Sequence, residues 1–202
     1  MKLWHNPASP FARKVRIVAR ETGLSARITE IGTTVSPVKV NSELARSNPL
    51  VKIPVLETDD GETLYDSAVI CEYLDSLHEN TQLFPAHGAM RWQALRLQAL
   101  GDGILDAAVL SRYELAVRPQ PLQWMEWLQG QQAKIDGGLD ALAQEAGSWG
   151  RGFGIGQITA ACVLGYLDFR FADRNWRATR PQLAAWFADV AQRPSVSATV
   201  PA

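Results

Sequence analysis

The chain has little cysteine, no strong excess of either charge and no long apolar run, and each shortage removes a class of function. Its two cysteines, Cys71 and Cys162, stand far apart among apolar neighbours in 202 residues. That placement reads as reduced, buried thiols rather than a disulfide framework, and it points to the cytoplasm. Lys and Arg number 20 against 21 Asp and Glu, a formal net charge of -1. Such a balance argues against a nucleic-acid surface, which needs a basic excess to neutralise phosphates. The opening Met1-Lys2-Leu3-Trp4 turns polar at once, so neither a signal peptide nor, anywhere later, a membrane span is expected. A phosphate loop is missing too. Gly150-Arg151-Gly152-Phe153-Gly154-Ile155-Gly156 follows Trp149 rather than a strand and lacks a Lys-Ser/Thr ending, so it reads as a loop feeding a helix over 155–171.

What the chain does have is a change of texture part-way along. Residues 1 to about 77 alternate strand-like and helical runs, whereas those from about 88 onward read as helices only. Asp59-Asp60-Gly61 separates two short strand-like runs, 55–58 and 62–65, and predicts a hairpin. Four apolar stripes at helical spacing follow: Trp92, Leu95, Ala99 and Leu100; Met125 to Leu142; Ile158 to Phe169; Leu183 to Val190. They predict a bundle whose Trp and Tyr residues are core. Arg13, Lys14, Arg16 and Arg20 form the dense basic cluster, on a helix whose apolar positions are Phe11, Val15 and Val18, and so predict a solvated basic face. The expected organisation is an α/β half over 1–78, a linker over 79–87 and an all-α half over 88–202.

The chemistry gathers in Asn48-Pro49-Leu50-Val51-Lys52-Ile53-Pro54-Val55-Leu56 and in Tyr65-Asp66-Ser67. Pro54 opens a strand without an N–H to give, which places the preceding residue at an edge or bend. With a cis Ile53-Pro54 bond, the N–H and C=O of Ile53 point outward, where an extended peptide pairs with them as an added strand. Asp66-Ser67 opens a helical run, so the N–H and hydroxyl of Ser67 are placed to hold a carboxylate at the positive helix end. A peptide with a free carboxylate and an amine suits both.

Ser9-Pro10-Phe11-Ala12-Arg13, the 48–56 stretch and Asp66-Ser67, at these spacings, resemble the N-terminal thioredoxin-like domain of the cytosolic glutathione S-transferases of bacterial type. The likeness continues through Gly165-Tyr166-Leu167-Asp168-Phe169-Arg170 and Arg180-Pro181 to Arg193-Pro194-Ser195, essentially the whole chain. It implies a βαβαββα thioredoxin-like domain followed by a helical bundle, and an enzyme, a glutathione transferase involved in detoxification. Glutathione is implied as cosubstrate, a small apolar electrophile as second substrate and a homodimer as assembly, with no metal. Ser9 is implied as the catalytic residue, a hydroxyl that donates to the glutathione sulfur beside a helix N-terminus and keeps the thiol as thiolate. Ser at this position also favours conjugation, peroxide reduction or a dehalogenase-like displacement over exchange through a mixed disulfide, which needs Cys there. The plain alternative is that Ser9 only caps its helix.

Residue by residue, the resemblance implies that Ile53 pairs with the cysteinyl part of glutathione, that Pro54 is cis, and that Asp66 and Ser67 hold the γ-glutamyl amine and carboxylate. Lys52, or Val51 beside it, falls near the glycyl end. The electrophile pocket is expected between Phe11, the loop after Trp4, and Leu110, Arg112 and Tyr113. Asp102 and Asp106, four apart on one helix face, are candidates to reach the partner's ligand across a dimer, or else plain exposed acids. The family commonly has a Ser or Thr and an Asp at the start of the 155–171 helix; here Gly154 and Gln157 take those places. A non-catalytic scaffold and a ligandin-like carrier of apolar compounds are the competing functions.

Overall fold

The computed structural model describes residues 1–80 and 82–202; Thr81, inside the expected linker, lies outside the described residues. The first half consists of β1 (Lys2–His5), α1 (Pro10–Glu21), β2 (Thr29–Gly32), a short α2 (Leu44–Ser47), β3 (Val55–Glu57), β4 (Thr63–Leu64) and α3 (Ser67–Asp75). This is the βαβαββα order of a thioredoxin-like domain. The sheet order is β2-β1-β3-β4. β1 runs parallel to β2, with Leu3 opposite Glu30, and antiparallel to β3, with Leu3 opposite Leu56. The hairpin falls at Asp59-Asp60-Gly61, where Gly61 takes φ 84° and gives its N–H to the Thr58 carbonyl at 3.2 Å. Its strands are shorter than the alternation suggested, two residues in β4.

The helical half comprises α4 (Gly88–Ala116), α5 (Met125–Ala146), α6 (Ile155–Arg170), the short α7 (Trp176–Thr179), α8 (Pro181–Val190) and α9 (Pro194–Ser197). α6 is its axis: Ile155, Ile158, Cys162, Leu164 and Leu167 are buried, together with the residues between them except Gln157. A helix apolar all round is a core helix, and α4, α1 and α8 cover it, with α5 packed against α4 and α8. Tyr166 and Trp176 are buried as expected of core aromatics, but Trp92 is 68% and Trp124 62% exposed. Ala99 of the Trp92 stripe is exposed too, while Leu95 and Leu100 pack half-buried against the core. Among the described residues no helix is long and apolar enough to cross a membrane.

The basic cluster departs most from expectation. Arg13 and Lys14 are buried, Arg16 is half-buried and bonded to Glu30 at 2.8 Å, and only Arg20 is exposed. Val15 and Val18 pack into the same core while the opposite side of α1 meets α4 and α6, so both faces are covered. One apolar stripe in the sequence marks one buried face; it says nothing of a second face closed by another domain. Arg13 reaches past Gly165, where a Cβ would stand 2.0 Å from its Nη1, and donates from Nη2 to the Val196 carbonyl at 3.2 Å. The start of α6 is explained in the same way. Gly154 lets the Leu83 carbonyl approach to 2.9 Å of where a Cβ would be, while its own N–H donates to Gln157 Oε1 at 3.2 Å. Half of the capping box survives, and the missing half is the room that Leu83 needs.

The 79–87 segment is tied down where it is described. Asp75 accepts from the N–H groups of Leu83 and Phe84 at 2.8 and 2.9 Å and from His78 Nε2 at 3.0 Å, and Leu83 and Phe84 are buried.

Candidate functional site

Ser9 is the N-cap of α1, with Pro10 in the first helical position; its Oγ accepts from the Ala12 N–H at 3.2 Å. Capping uses a lone pair, so the hydroxyl hydrogen stays available to an acceptor outside the helix. The twelve-residue helix behind it puts the positive end of its dipole at the same place. The two readings of Ser9, cap and donor, are therefore compatible. Asn6 sets the approach, its side chain accepting from the Ala8 N–H at 2.9 Å and donating to the Thr33 carbonyl at 3.1 Å.

The 48–54 loop is built around Asn48, which is buried. Its side chain donates to the Lys52 carbonyl at 3.0 Å and accepts from the Leu50 N–H at 3.0 Å, and its carbonyl accepts from the Val51 N–H at 2.9 Å. Val51 is carried at φ 52° within this turn, and the Ile53-Pro54 bond is cis. Among the described residues the main-chain N–H and C=O of Ile53 have no hydrogen-bond partner in the chain, because β3 pairs with β1 only from Val55 onward. Lys52 is exposed. Asn48 is a residue whose role the sequence did not disclose; an Asn immediately before Pro, two residues ahead of a turn, is the signal that was there.

At α3 the two polar residues divide the helix start between them. Asp66 is the N-cap: its carboxylate accepts from the Ala68 N–H at 3.0 Å. Ser67 is the first helical residue and is buried, and among the described residues its hydroxyl has no partner in the chain. Asp66 stays exposed, with one carboxylate oxygen committed to the cap.

α4 supplies the opposite wall. Asp106 is exposed, and its carboxyl is raised above the usual range by desolvation, with Lys52 drawing it back down and Asp66 adding to the rise. The three groups thus share one field. Asp102, expected on the same outward face, is half-buried and bonded through both carboxylate oxygens to Lys14 of its own chain. Leu110 is 44% exposed, and Phe11, Arg112 and Tyr113 are half-buried. Burial pushes the Tyr113 hydroxyl upward, and it pushes Tyr166 to about 12 although Arg170 and Arg112 beside it oppose the rise. Tyr166 and Arg170, four apart on α6, thus stand beside Arg112 and Tyr113, two of the residues expected to line the pocket with Phe11 and Leu110. Among the described residues no group of three or more His, Cys, Asp or Glu is placed to hold a metal ion.

Comparisons with known proteins give the family. Residues 8–77 match the profile of the glutathione S-transferase N-terminal domain and residues 125–189 that of the C-terminal domain. A glutathione transferase family member from Pseudomonas fluorescens Pf-5, solved with bound glutathione, is 48% identical over 100% of this chain and 98% of its own, with a TM-score of 0.98. A second structure of a family member from that organism, holding S-(propanoic acid)-glutathione, is 47% identical over the full length of both chains, with a TM-score of 0.93. The uncharacterized GST-like protein YibF of Escherichia coli K12 is 33% identical over 205 residues, 100% of this chain and 98% of its own. The chain belongs to the glutathione S-transferase family.

Proposed function

We propose that the protein is a glutathione transferase that binds glutathione on residues 1–78, activates its thiol through Ser9 and attacks a small electrophile held by the helical half over 88–202. The observation that carries this is the state of Ser9. Its oxygen already caps α1, leaving one hydrogen to give, at the positive end of a twelve-residue helix. A thiol titrates near 8.5, so a donor and a helix field that lower it by about one to two units multiply the thiolate fraction at neutral pH. The enzyme need supply no nucleophile of its own.

The remaining groups match a tripeptide. Ile53 offers an unpaired N–H and C=O to the cysteinyl unit, Pro54 closes the strand behind it, and Lys52 meets the glycyl carboxylate. Ser67 and the N-terminal amides of α3 take the γ-glutamyl carboxylate, and Asp66 takes the amine with the oxygen its cap does not use. The Pseudomonas relatives, one with glutathione and one with a glutathione whose sulfur carries a propanoic acid, support both the ligand and room beyond its sulfur. Phe11, Leu110, Arg112 and Tyr113 line that room, and the working form is a twofold homodimer.

The test is retention on immobilised glutathione followed by a conjugation assay over pH, with Ser9→Ala beside the parent. Retention with turnover that falls in the variant supports the proposal. Retention without turnover on a broad electrophile set makes the protein a glutathione binder, and no retention removes glutathione altogether.

A further inference from the structure

Arg112 and Arg170 both stand beside Tyr166, and among the described residues neither is answered by an ion pair. Leu97 of α4 stands against Gly156 of α6, and Gly101 against Thr159, so the two helices run side by side in the same direction. Their last turns bring Arg112 and Tyr113 near Tyr166 and Arg170. The Arg170 guanidinium lies 3.9 Å over the Phe169 ring, a face contact that keeps its N–H groups in the ring-edge plane, where one faces the Tyr166 hydroxyl and others remain to be given. Two acids close in sequence are taken, and the exposed Asp173, three residues past Arg170, does not pair with it. Glu114 accepts from Arg118 Nε at 2.7 Å and from the Trp124 N–H at 2.8 Å. Asp168 accepts from Trp176 Nε1 at 2.8 Å and pairs with Arg177. Among the described residues neither Arg112 nor Arg170 forms an ion pair, and both are half-buried. Half-buried guanidinium groups beside two tyrosine hydroxyls offer donors in the planar fork that suits a carboxylate.

We propose, resting on the transferase reading above, that the electrophile of this protein carries a carboxylate, held by Arg112 and Arg170 with Tyr113 and Tyr166, while its reacting carbon meets the sulfur at Ser9. Sulfur gives its electron pair to that carbon, a C–S bond forms, and the carbon–leaving-group bond breaks with its pair going to the leaving anion. No further reactant is required. The hydroxyls of Tyr113 and Tyr166 keep their protons at neutral pH and so remain donors to the acid.

The experiment compares 4-(chloromethyl)benzoate with its methyl ester, which differs at the charge and not at the reacting carbon. The parent is expected to favour the acid by roughly tenfold or more in kcat/KM after subtraction of the uncatalysed rates, and Arg112→Gln and Arg170→Gln each to shrink the acid-to-ester ratio by roughly ten- to a hundredfold, the weight of a charge-assisted contact. An ester turned over as well as the acid, or a ratio unchanged in both variants, overturns the proposal. If neither chloride is converted, calorimetry with S-(4-carboxybenzyl)glutathione and its methyl ester decides. Tighter binding of the acid that the variants weaken supports the proposal, and equal binding overturns it. Glutathione and both thioethers all failing to bind marks failure of the transferase reading itself, and the proposal falls with it.

Discussion

Lys14 Nζ lies 2.6 and 2.8 Å from the two carboxylate oxygens of Asp102, clasping α1 to α4 across the two halves of the chain. The lysine side chain is wholly buried and the aspartate 24% exposed. Burial raises the Asp102 carboxyl, and Lys14 is the first group pulling it back. The clasp sits about one helical turn from Ser9 along α1 and one turn from Asp106 along α4, so it fixes the spacing of the two walls of the site.

Breaking this pair on one side strands a charge. Asp102→Asn is expected to cost about 3 to 5 kcal/mol, since Lys14 stays buried without its counter-charge. Lys14→Met combined with Asp102→Leu is expected to cost less than Asp102→Asn alone, because no buried charge is left. Urea midpoints and slopes for the three proteins check this; a double variant as unstable as Asp102→Asn would give the loss to packing instead.

Ser9→Ala is expected to lower the conjugation rate by about 2 to 4 kcal/mol in barrier, the weight of a principal donor to a developing anion, with glutathione affinity nearly kept. It also removes the α1 cap, which costs about 1 kcal/mol of stability. The rate must therefore be read at a temperature where both proteins are folded. A pH-rate profile identical in parent and variant assigns thiol activation to another group.

At the other end of the tripeptide the expected effect is on affinity. Ser67→Ala is expected to weaken glutathione binding by about 1.5 to 3 kcal/mol and to leave kcat much less affected, as suits a contact remote from sulfur. Asp66 has two duties, and Asp66→Asn separates them: the amide still caps α3 through its oxygen, while the charge offered to the amine is gone. Calorimetry and a melting curve on that variant should show weaker binding at near-parental stability. Parental affinity in both variants would detach α3 from the ligand.

These outcomes bear on what the sequence disclosed. The element order, the hairpin and the long helices were legible because each rests on local signals: Asp59-Asp60-Gly61 for a turn, Ser9-Pro10 for a helix start, apolar spacing for the bundle. The places of Ser9 and Asp66 at helix starts and of Ile53 before a cis proline were likewise legible, because helix starts and a strand-opening proline mark themselves. Lys14 and Arg13 were misjudged because their partners, Asp102 and the Val196 carbonyl, are 88 and 183 residues away. Local period cannot report a face closed by a distant element. Asn48, Tyr166 and Arg170 escaped for a related reason: the first bonds its own loop through both ends of its amide, and the others matter only where α6 ends beside α4.

His5, at the end of β1, is buried, with Nδ1 unpartnered among the described residues and Nε2 3.4 Å from Glu30. Desolvation holds its pKa below the ordinary value, Glu30 working against this and Arg16 with it. The folded pKa lies under the unfolded one, so the folded state gains nothing from protonation near pH 6.5 while the unfolded chain does. Stability is expected to be full above about pH 6.5 and to fall as pH drops toward the folded pKa, by at most about 1.4 kcal/mol per pH unit. Denaturant midpoints at pH 7.5 and 5.5 check it, with the drop smaller in His5→Gln. An equal drop in that variant would place the acid sensitivity elsewhere.

The proposed dimer has a surface to account for. Leu50 is 65% exposed, Val69 on α3 48%, and Met90 and Trp92 in the first turns of α4 65% and 68%. Single exposed apolar residues are ordinary, but several on adjoining elements of both halves are costly to leave in water. A twofold pairing that sets the strand-and-helix half of one subunit against the long helices of the other covers them and leaves Asp106, unlike Asp102, with a free carboxylate to offer. Light scattering at micromolar concentration is expected to give twice the 22.2 kDa of one chain. Trp92→Glu is expected to shift that mass toward 22.2 kDa. If Asp106 serves the γ-glutamyl amine, Asp106→Asn weakens glutathione binding in the dimer and the parental affinity falls as Trp92→Glu separates the subunits. A parent that scatters as a single chain excludes the pairing, and a dimer whose Asp106→Asn variant binds glutathione normally keeps the interface while removing the shared contact.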